Sequence, residues 1–183
     1  MKPIVSNLKG YHIHSPSAFH LITEVIYNPK TPACLSLEQV VDLEKKSPFS
    51  LLVLKLADHY KPLRMVCVGH GGLEPMEFLP QSGIPIKVYN TLVEIDSLVN
   101  QHEFVIWTEV PENDRIIPET INDCLWFVPM LERKESRKYF TLLKKNGKVS
   151  QSFELNQHGF VIFNSKLQKE DYIIRNRRFF INY

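Results

Sequence analysis

A strand-like apolar run that ends in a cluster of glycines is the part of this sequence best suited to hold a small ligand. The run spans 65–68, and Gly69, Gly71 and Gly72 follow it, with His70 after the first of them. A glycine turn between a strand and a helix brings backbone N–H groups close to a ligand, as in nucleotide-binding α/β folds. A ligand-binding turn is one interpretation of these residues, and a tight strand-to-helix turn that binds nothing is the one we favour.

The pattern departs from a dinucleotide-binding fingerprint in two ways. The glycines do not follow the G-x-G-x-x-G spacing. In addition, Asn90 follows the second predicted strand, where an acidic residue would accept hydrogen bonds from a ribose. An amide oxygen can accept from one hydroxyl, but it lacks the strength of a charge-assisted bond.

Other polar residues give weaker signals. His12 and His14 form a His-x-His pair, but the spacing supplies no third ligand, and we predict no metal site. Glu109 and Asp114 follow a predicted strand and would form an acid–base pair if they faced a cleft; solvated surface is the interpretation we favour. We interpret His158 as a turn residue.

The C-terminal segment 175–183 mixes arginines with aromatic residues, as some nucleic-acid-binding surfaces do. The chain is nearly neutral, with 22 Lys and Arg against 20 Asp and Glu, so we do not expect it to bind nucleic acid. The aromatic residues would equally dock on the fold or on a second copy of the chain, which leaves a homodimer open. The physiological partner is unknown.

The composition indicates one globular domain over the 183 residues, with 44% hydrophobic and 23% charged residues. Cys34, Cys67 and Cys124 are odd in number and far apart, which favours a reducing cytoplasm over a disulfide framework. The N-terminus lacks the apolar core of a signal peptide. No apolar run reaches the ~18 residues that a membrane span needs, so we expect no membrane partner.

The hydrophobic period divides the domain into a helical segment, 1–62, and an α/β sheet, 63–183. The first segment has Ser-Pro and Ser-x-x-Gln helix starts, and an apolar stripe of Phe19, Ile22 and Ile26. The predicted strands are 65–68, 84–89, 104–110, 124–130, 148–155, 159–165 and 172–175, and the predicted helices of this part are 91–101 and 132–145. This order predicts a mostly parallel sheet with an antiparallel C-terminal hairpin.

Three segments carry a family resemblance: His12–Pro16 with Phe19 after it, Val66–Gly69, and Phe153–Phe163 followed by Tyr172–Arg175. Together they resemble class I S-adenosylmethionine-dependent methyltransferases. The narrower likeness is to a bacterial methyltransferase-like family. Its members begin with a Gly-x-His-Ser-Pro-Phe type segment and end in a Gly-(Ile/Val)-x-Phe-Phe hairpin. The likeness covers most of the chain in order, and its two ends are the most specific parts.

The resemblance implies a Rossmann-like sheet and a set of roles for residues along one cleft. The glycines would approach the amino-acid end of S-adenosylmethionine, and Asn90 would hold the ribose. His14 and Ser15 would cover the mouth of the cleft. Trp107 and Glu109 would stand where a strand of this family normally ends in a catalytic or metal-binding aspartate.

The segment between Asn90 and the strand at Phe104 is too short for the helix, strand and helix that the family places there. We therefore expect a shortened sheet and a degenerate member that no longer transfers methyl groups and acts as a binding or interaction module, with S-adenosylmethionine as the cofactor if one is bound. An active methyltransferase of unknown acceptor is the first alternative. A nucleic-acid-binding module is the second. No catalytic residue is assigned.

Overall fold

The computed structural model describes residues 4–5, 13, 15–28, 31–69, 82–89, 103–110 and 121–174. Within them, helices α1 to α3 precede most of the sheet, and α4 lies between two of its strands. The helices are α1 (Pro16–His20), which continues into a π-helix (Leu21–Ile26), α2 (Leu37–Lys46), α3 (Pro48–Tyr60) and α4 (Lys134–Lys145). The predicted helix 91–101 lies outside the described residues.

Serine side chains start the first three helices, as the sequence predicts. Ser15 and Ser47 each accept a backbone N–H of the first turn and are followed by proline, whose missing N–H costs nothing there. Ser36 forms a full capping box with Gln39, in which each side chain accepts the other residue's backbone N–H.

The apolar stripe predicted from Phe19, Ile22 and Ile26 is not one buried face. Ile22 and Ile26 are buried, whereas Phe19 is 43% exposed. Phe19 lies in α1, before the π-helix in which Tyr27 N–H bonds to the Ile22 carbonyl. The buried positions are Ala18, Leu21, Ile22, Val25 and Ile26, which keep the helical i, i+3, i+4 spacing, so the buried stripe begins at Ala18 and not at Phe19.

The described residues contain eight strands in a single sheet, ordered β1-β8-β6-β7-β5-β4-β2-β3. All pairs are parallel except β7 with β5 and β7 with β6. This confirms the predicted mostly parallel α/β sheet with an antiparallel hairpin. The strands are β1 (Ile4–Val5), β2 (Arg64–Val68), β3 (Ile86–Tyr89), β4 (Glu103–Trp107), β5 (Cys124–Val128), β6 (Gln151–Leu155), β7 (His158–Phe163) and β8 (Glu170–Ile174).

The chain order reverses at β2. The next strand, β3, pairs on one side of β2, and the chain then crosses to the other side to form β4 and β5. In open parallel sheets such a reversal leaves a crevice outside the carboxyl ends of the strands, where ligands bind. The strand ends of the sheet need a name. We call the side at which β2, β4 and β5 finish the carboxyl edge, and the side at which these strands begin the amino edge.

Two apolar clusters cover the two faces of the sheet. On one face, α1, the π-helix, α2 and α3 pack over alternate residues of the strands. On the other face, Tyr139, Phe140 and Leu143 of α4 pack over a second set that includes Trp107 and Trp126. Strands buried on both faces are typical of parallel sheets, which explains the continuous apolar runs in the sequence.

No helix in the described part of the chain has the length and apolar character to span a membrane.

Candidate functional site

Among the described residues of the carboxyl edge, Thr108 and Glu109, which follow β4, lie close to the end of β2. The Val68 carbonyl accepts the backbone N–H groups of Thr108 and Glu109, at 2.8 and 3.1 Å. It also accepts the Thr108 hydroxyl at 2.7 Å. The Thr108 N–H bond continues the parallel ladder of β2 and β4, and the other two bonds hold Thr108 and Glu109 beside the end of β2.

Gly69 lies directly beside these two residues. Its φ of +116° favours glycine. A Cβ built there would overlap Glu109 Cβ and lie 2.6 Å from both Glu109 N and Thr108 Oγ1. Its own N–H is donated to the Tyr89 carbonyl at 2.9 Å. The close approach of β4 therefore accounts for this glycine without a ligand.

The described residues at this edge fit S-adenosylmethionine poorly. The Gly69 N–H is already donated to a protein carbonyl, and the space above its Cα is filled by Thr108 and Glu109. A glycine turn that holds a ligand needs its N–H groups or that space for the ligand. Glu109 itself is exposed, at the strand end where the sequence places it.

Trp107 is paired with Val68, next to Gly69, but its side chain is buried in the cluster on the α4 face of the sheet, and Ser15 lies farther away. Trp107 is fully buried, with its ring against those of Trp126 and Tyr139, and its indole N–H has no hydrogen-bond partner among the described residues. Ser15 accepts a hydrogen bond from Gln151 on β6 at 3.0 Å. Four strand spacings, about 19 Å, separate β6 from β2. The structure brings the backbones of Gly69, Glu109 and Trp107 together, with the Trp107 ring packed into the core, and places Ser15 elsewhere.

Several predicted site residues lie outside the described residues. They are Gly71, Gly72, Asn90 and His14, together with His12, Asp114 and the segment 175–183. Their roles stay predictions.

A second cluster on the carboxyl edge was not singled out as a site from the sequence. His158 begins β7, and its Nδ1 accepts the Met130 N–H at 3.3 Å. Its ring packs against Phe49 and Phe127, at centroid distances of 4.8 and 6.0 Å. Burial lowers the pKa of His158 to about 4, so the ring is neutral at pH 7. Met130 has a φ of +55°, which is costly for a bulky residue.

The amino edge carries a cavity of about 380 Å³. Three connections form it: the one before β5, the one between α4 and β6, and the one between β7 and β8. Its lining residues are Ile121, Asn122, Gly147, Lys148, Val149, Ser150, Asn164, Ser165, Leu167 and Lys169. Sequence reasoning missed this cavity because its polar residues are scattered over three turns and form no motif.

The two buried cysteines are protonated at neutral pH. Burial raises the pKa of Cys67 to about 12 and of Cys124 to about 11, which removes the thiolate at neutral pH. Within the ranges described above, no three His, Cys, Asp or Glu side chains come close enough to hold a metal ion.

Comparison of the chain with family models, with curated proteins and with solved structures finds no match.

Proposed function

We propose that this chain is a methyltransferase-like protein that has lost methyl transfer and acts as a binding or interaction module. The methyltransferase-like character is supported by the order β3-β2-β4-β5, which has the reversal of a doubly wound sheet at β2. The loss of transfer is supported by one observation above all. The end of β4 occupies the crevice at Gly69, through three hydrogen bonds to Val68.

Closure at this point acts on the same ligand as the other departures in the sequence. Asn90 offers an amide where a carboxylate would bind ribose, and the segment before Phe104 is too short for a further strand and helix. Each departure removes contacts from one cofactor, so their costs in binding free energy accumulate. The two apolar clusters of the described residues are formed by protein side chains alone.

Titration calorimetry with S-adenosylmethionine and with S-adenosylhomocysteine tests the proposal. We expect no saturable heat up to about 1 mM ligand, which corresponds to binding weaker than about 4 kcal/mol. The protein should remain folded in the same buffer, as circular dichroism would check. Saturable micromolar binding that Gly71→Val abolishes would overturn the proposal and favour the active enzyme.

We also propose a reducing, cytoplasmic location. All three cysteines are free thiols, and two of them are buried. Free buried thiols are ordinary in reducing compartments. Mass spectrometry after thiol alkylation of freshly isolated protein would check this, since three alkylated cysteines are expected under denaturing conditions and a disulfide would contradict it.

A further inference from the structure

The amino-edge cavity has the lining of an anion site. We propose that it binds a small organic phosphate, whose phosphate group is held by two lysines and two asparagine amides. The four residues are Asn122, Lys148, Asn164 and Lys169. The cavity lies on the opposite edge from Gly69, so this proposal stands or fails separately from the loss of methyl transfer.

The charge of the lining is one-sided. The lining residues include two lysines and no aspartate or glutamate among those described. A concave surface with one sign of charge attracts ligands of the other sign and concentrates their field. Asp171 is an opposing charge that acts on Lys169.

The two asparagines are oriented to donate. Asn164 Oδ1 accepts the Lys166 backbone N–H at 3.0 Å, and Asn122 Oδ1 accepts the Ser165 backbone N–H at 3.1 Å. Because a backbone N–H can only donate, these bonds fix which amide atom is the oxygen. The NH₂ group of each side chain takes no part in these two bonds, and as a donor it suits an anion.

Lys169 is held in place by the backbone of the neighbouring connection. Its Nζ donates to the carbonyl oxygens of Asn146 and Val149, at 3.0 and 2.7 Å. An ammonium has three N–H donors, so these two bonds position the group and leave a third direction. Burial lowers the pKa of Lys169, and Asp171 opposes that shift. Lys169 is an exposed residue, so its ammonium is accessible to an anion.

The cavity is larger than a phosphate and has an apolar part. Its volume of about 380 Å³ lies within the range of small-molecule sites. Ile121 and Val149 are buried beneath it, and Leu167 is half-buried beside it. These side chains would contact the organic part of the ligand, while the amides and lysines hold the phosphate.

The experiment uses AMP as the probe, with adenosine and inorganic phosphate as comparisons at constant ionic strength. Asn164→Asp and Asn122→Asp are the test variants. Each keeps an oxygen that accepts the backbone N–H and replaces the NH₂ donor with a second carboxylate oxygen. Gln157→Glu is the matched control, because it makes the same chemical change and the same change in net charge at an exposed residue of the carboxyl edge. Thermal melts establish that each variant is folded.

We expect saturable AMP binding in the millimolar range or tighter, weaker binding of inorganic phosphate and none of adenosine. Each test variant should weaken AMP binding at least about tenfold, because a carboxylate replaces a donor. The control should change it less than about twofold. The proposal is overturned if AMP does not bind up to about 10 mM, if adenosine binds as well as AMP, or if the test variants behave like the control.

Discussion

The two edges of the sheet differ in what their connections leave open. At the carboxyl edge, where doubly wound folds bind ligands, the end of β4 bonds to Val68 and fills the space above Gly69. At the amino edge, three connections separate enough to form a cavity with basic and amide groups. The topology of the sheet predicts a ligand site at the carboxyl edge. The cavity at the amino edge results instead from the local packing of its connections.

The difference has a local cause at each edge. Val68 satisfies three donors from one short segment, so β4 has no free energy to gain from moving away. At the amino edge, Asn146 and Asn164 each begin a turn in which the side-chain oxygen accepts the N–H two residues later. Such turns satisfy their own backbone and need no cover from the rest of the fold.

Of the substitutions at the two edges, one at Gly69 should lower the free energy of unfolding most. Gly69→Ala places a Cβ 2.6 Å from Glu109 N at a φ of +116°, so β4 must move away from β2. We expect a loss of about 4 kcal/mol in the free energy of unfolding. Gly83→Ala is the control, because its φ of +69° is also unfavourable but nothing lies within 4 Å.

Urea unfolding measures both variants. The control should lose about 1–2 kcal/mol, the cost of the backbone conformation alone. Equal losses in the two variants would mean that β4 does not close over Gly69.

Acid should weaken the carboxyl edge through His158. Its folded pKa of about 4 lies below the unfolded value of about 6.5, so the unfolded chain binds more protons between these values. The contribution of neutral His158 to the free energy of unfolding is present in full above pH about 6.5. It is lost as the pH falls towards 4, by up to about 3 kcal/mol. His158→Asn keeps an acceptor for the Met130 N–H but does not titrate.

The measurement is the free energy of unfolding of both proteins between pH 7.5 and pH 4.5. As the pH falls, the wild type should lose more of its free energy of unfolding than His158→Asn does. A constant difference across this range would show that His158 is not buried as described.

Lys169→Met, at the amino edge, should lower the free energy of unfolding by about 2 kcal/mol. The substitution keeps the apolar stem but removes the ammonium that binds the carbonyls of Asn146 and Val149. Lys166→Met is the control, since Lys166 is exposed in the adjacent turn. Thermal unfolding measures the stability of both variants. If Lys169→Met loses no more stability than Lys166→Met, the bonds of Lys169 to the two carbonyls do not stabilise this edge.

Thr108→Val should have the smallest effect, about 1 kcal/mol, because it removes one of the three hydrogen bonds to the Val68 carbonyl and keeps the shape. Thr108→Ser retains the hydroxyl and should recover most of the loss. Chemical denaturation distinguishes the two, and equal losses would indicate that the methyl group rather than the hydroxyl matters at this position.

Much of the fold is predictable from the sequence. The strands β2, β4 and β5 lie within two or three residues of their predicted ends, because strands buried on both faces are continuous apolar runs. The helix α4 follows from its amphipathic period, and the Ser36 capping box from its spacing. Periodicity and capping are local properties, so they are present in the sequence itself.

Other features depend on contacts between distant segments. The π-helix over Leu21–Ile26 and the pairing of β1 with β8 have no local signature. Gly69 is recognisable as a special position, but its reason, the approach of Glu109 from forty residues away, is not. The cavity around Lys169 assembles from three connections, which no spacing along the chain reveals.

The central claim is that the carboxyl edge at Gly69 is closed and the amino edge is open. Two-dimensional amide NMR of the labelled protein, titrated separately with S-adenosylhomocysteine and with AMP, tests both halves in one sample. We predict that AMP shifts the amides of Lys148, Ser165 and Lys169, and that S-adenosylhomocysteine leaves those of Gly69, Thr108 and Glu109 unchanged. Saturable shifts at Gly69 with S-adenosylhomocysteine, and none at Lys169 with AMP, would contradict the account.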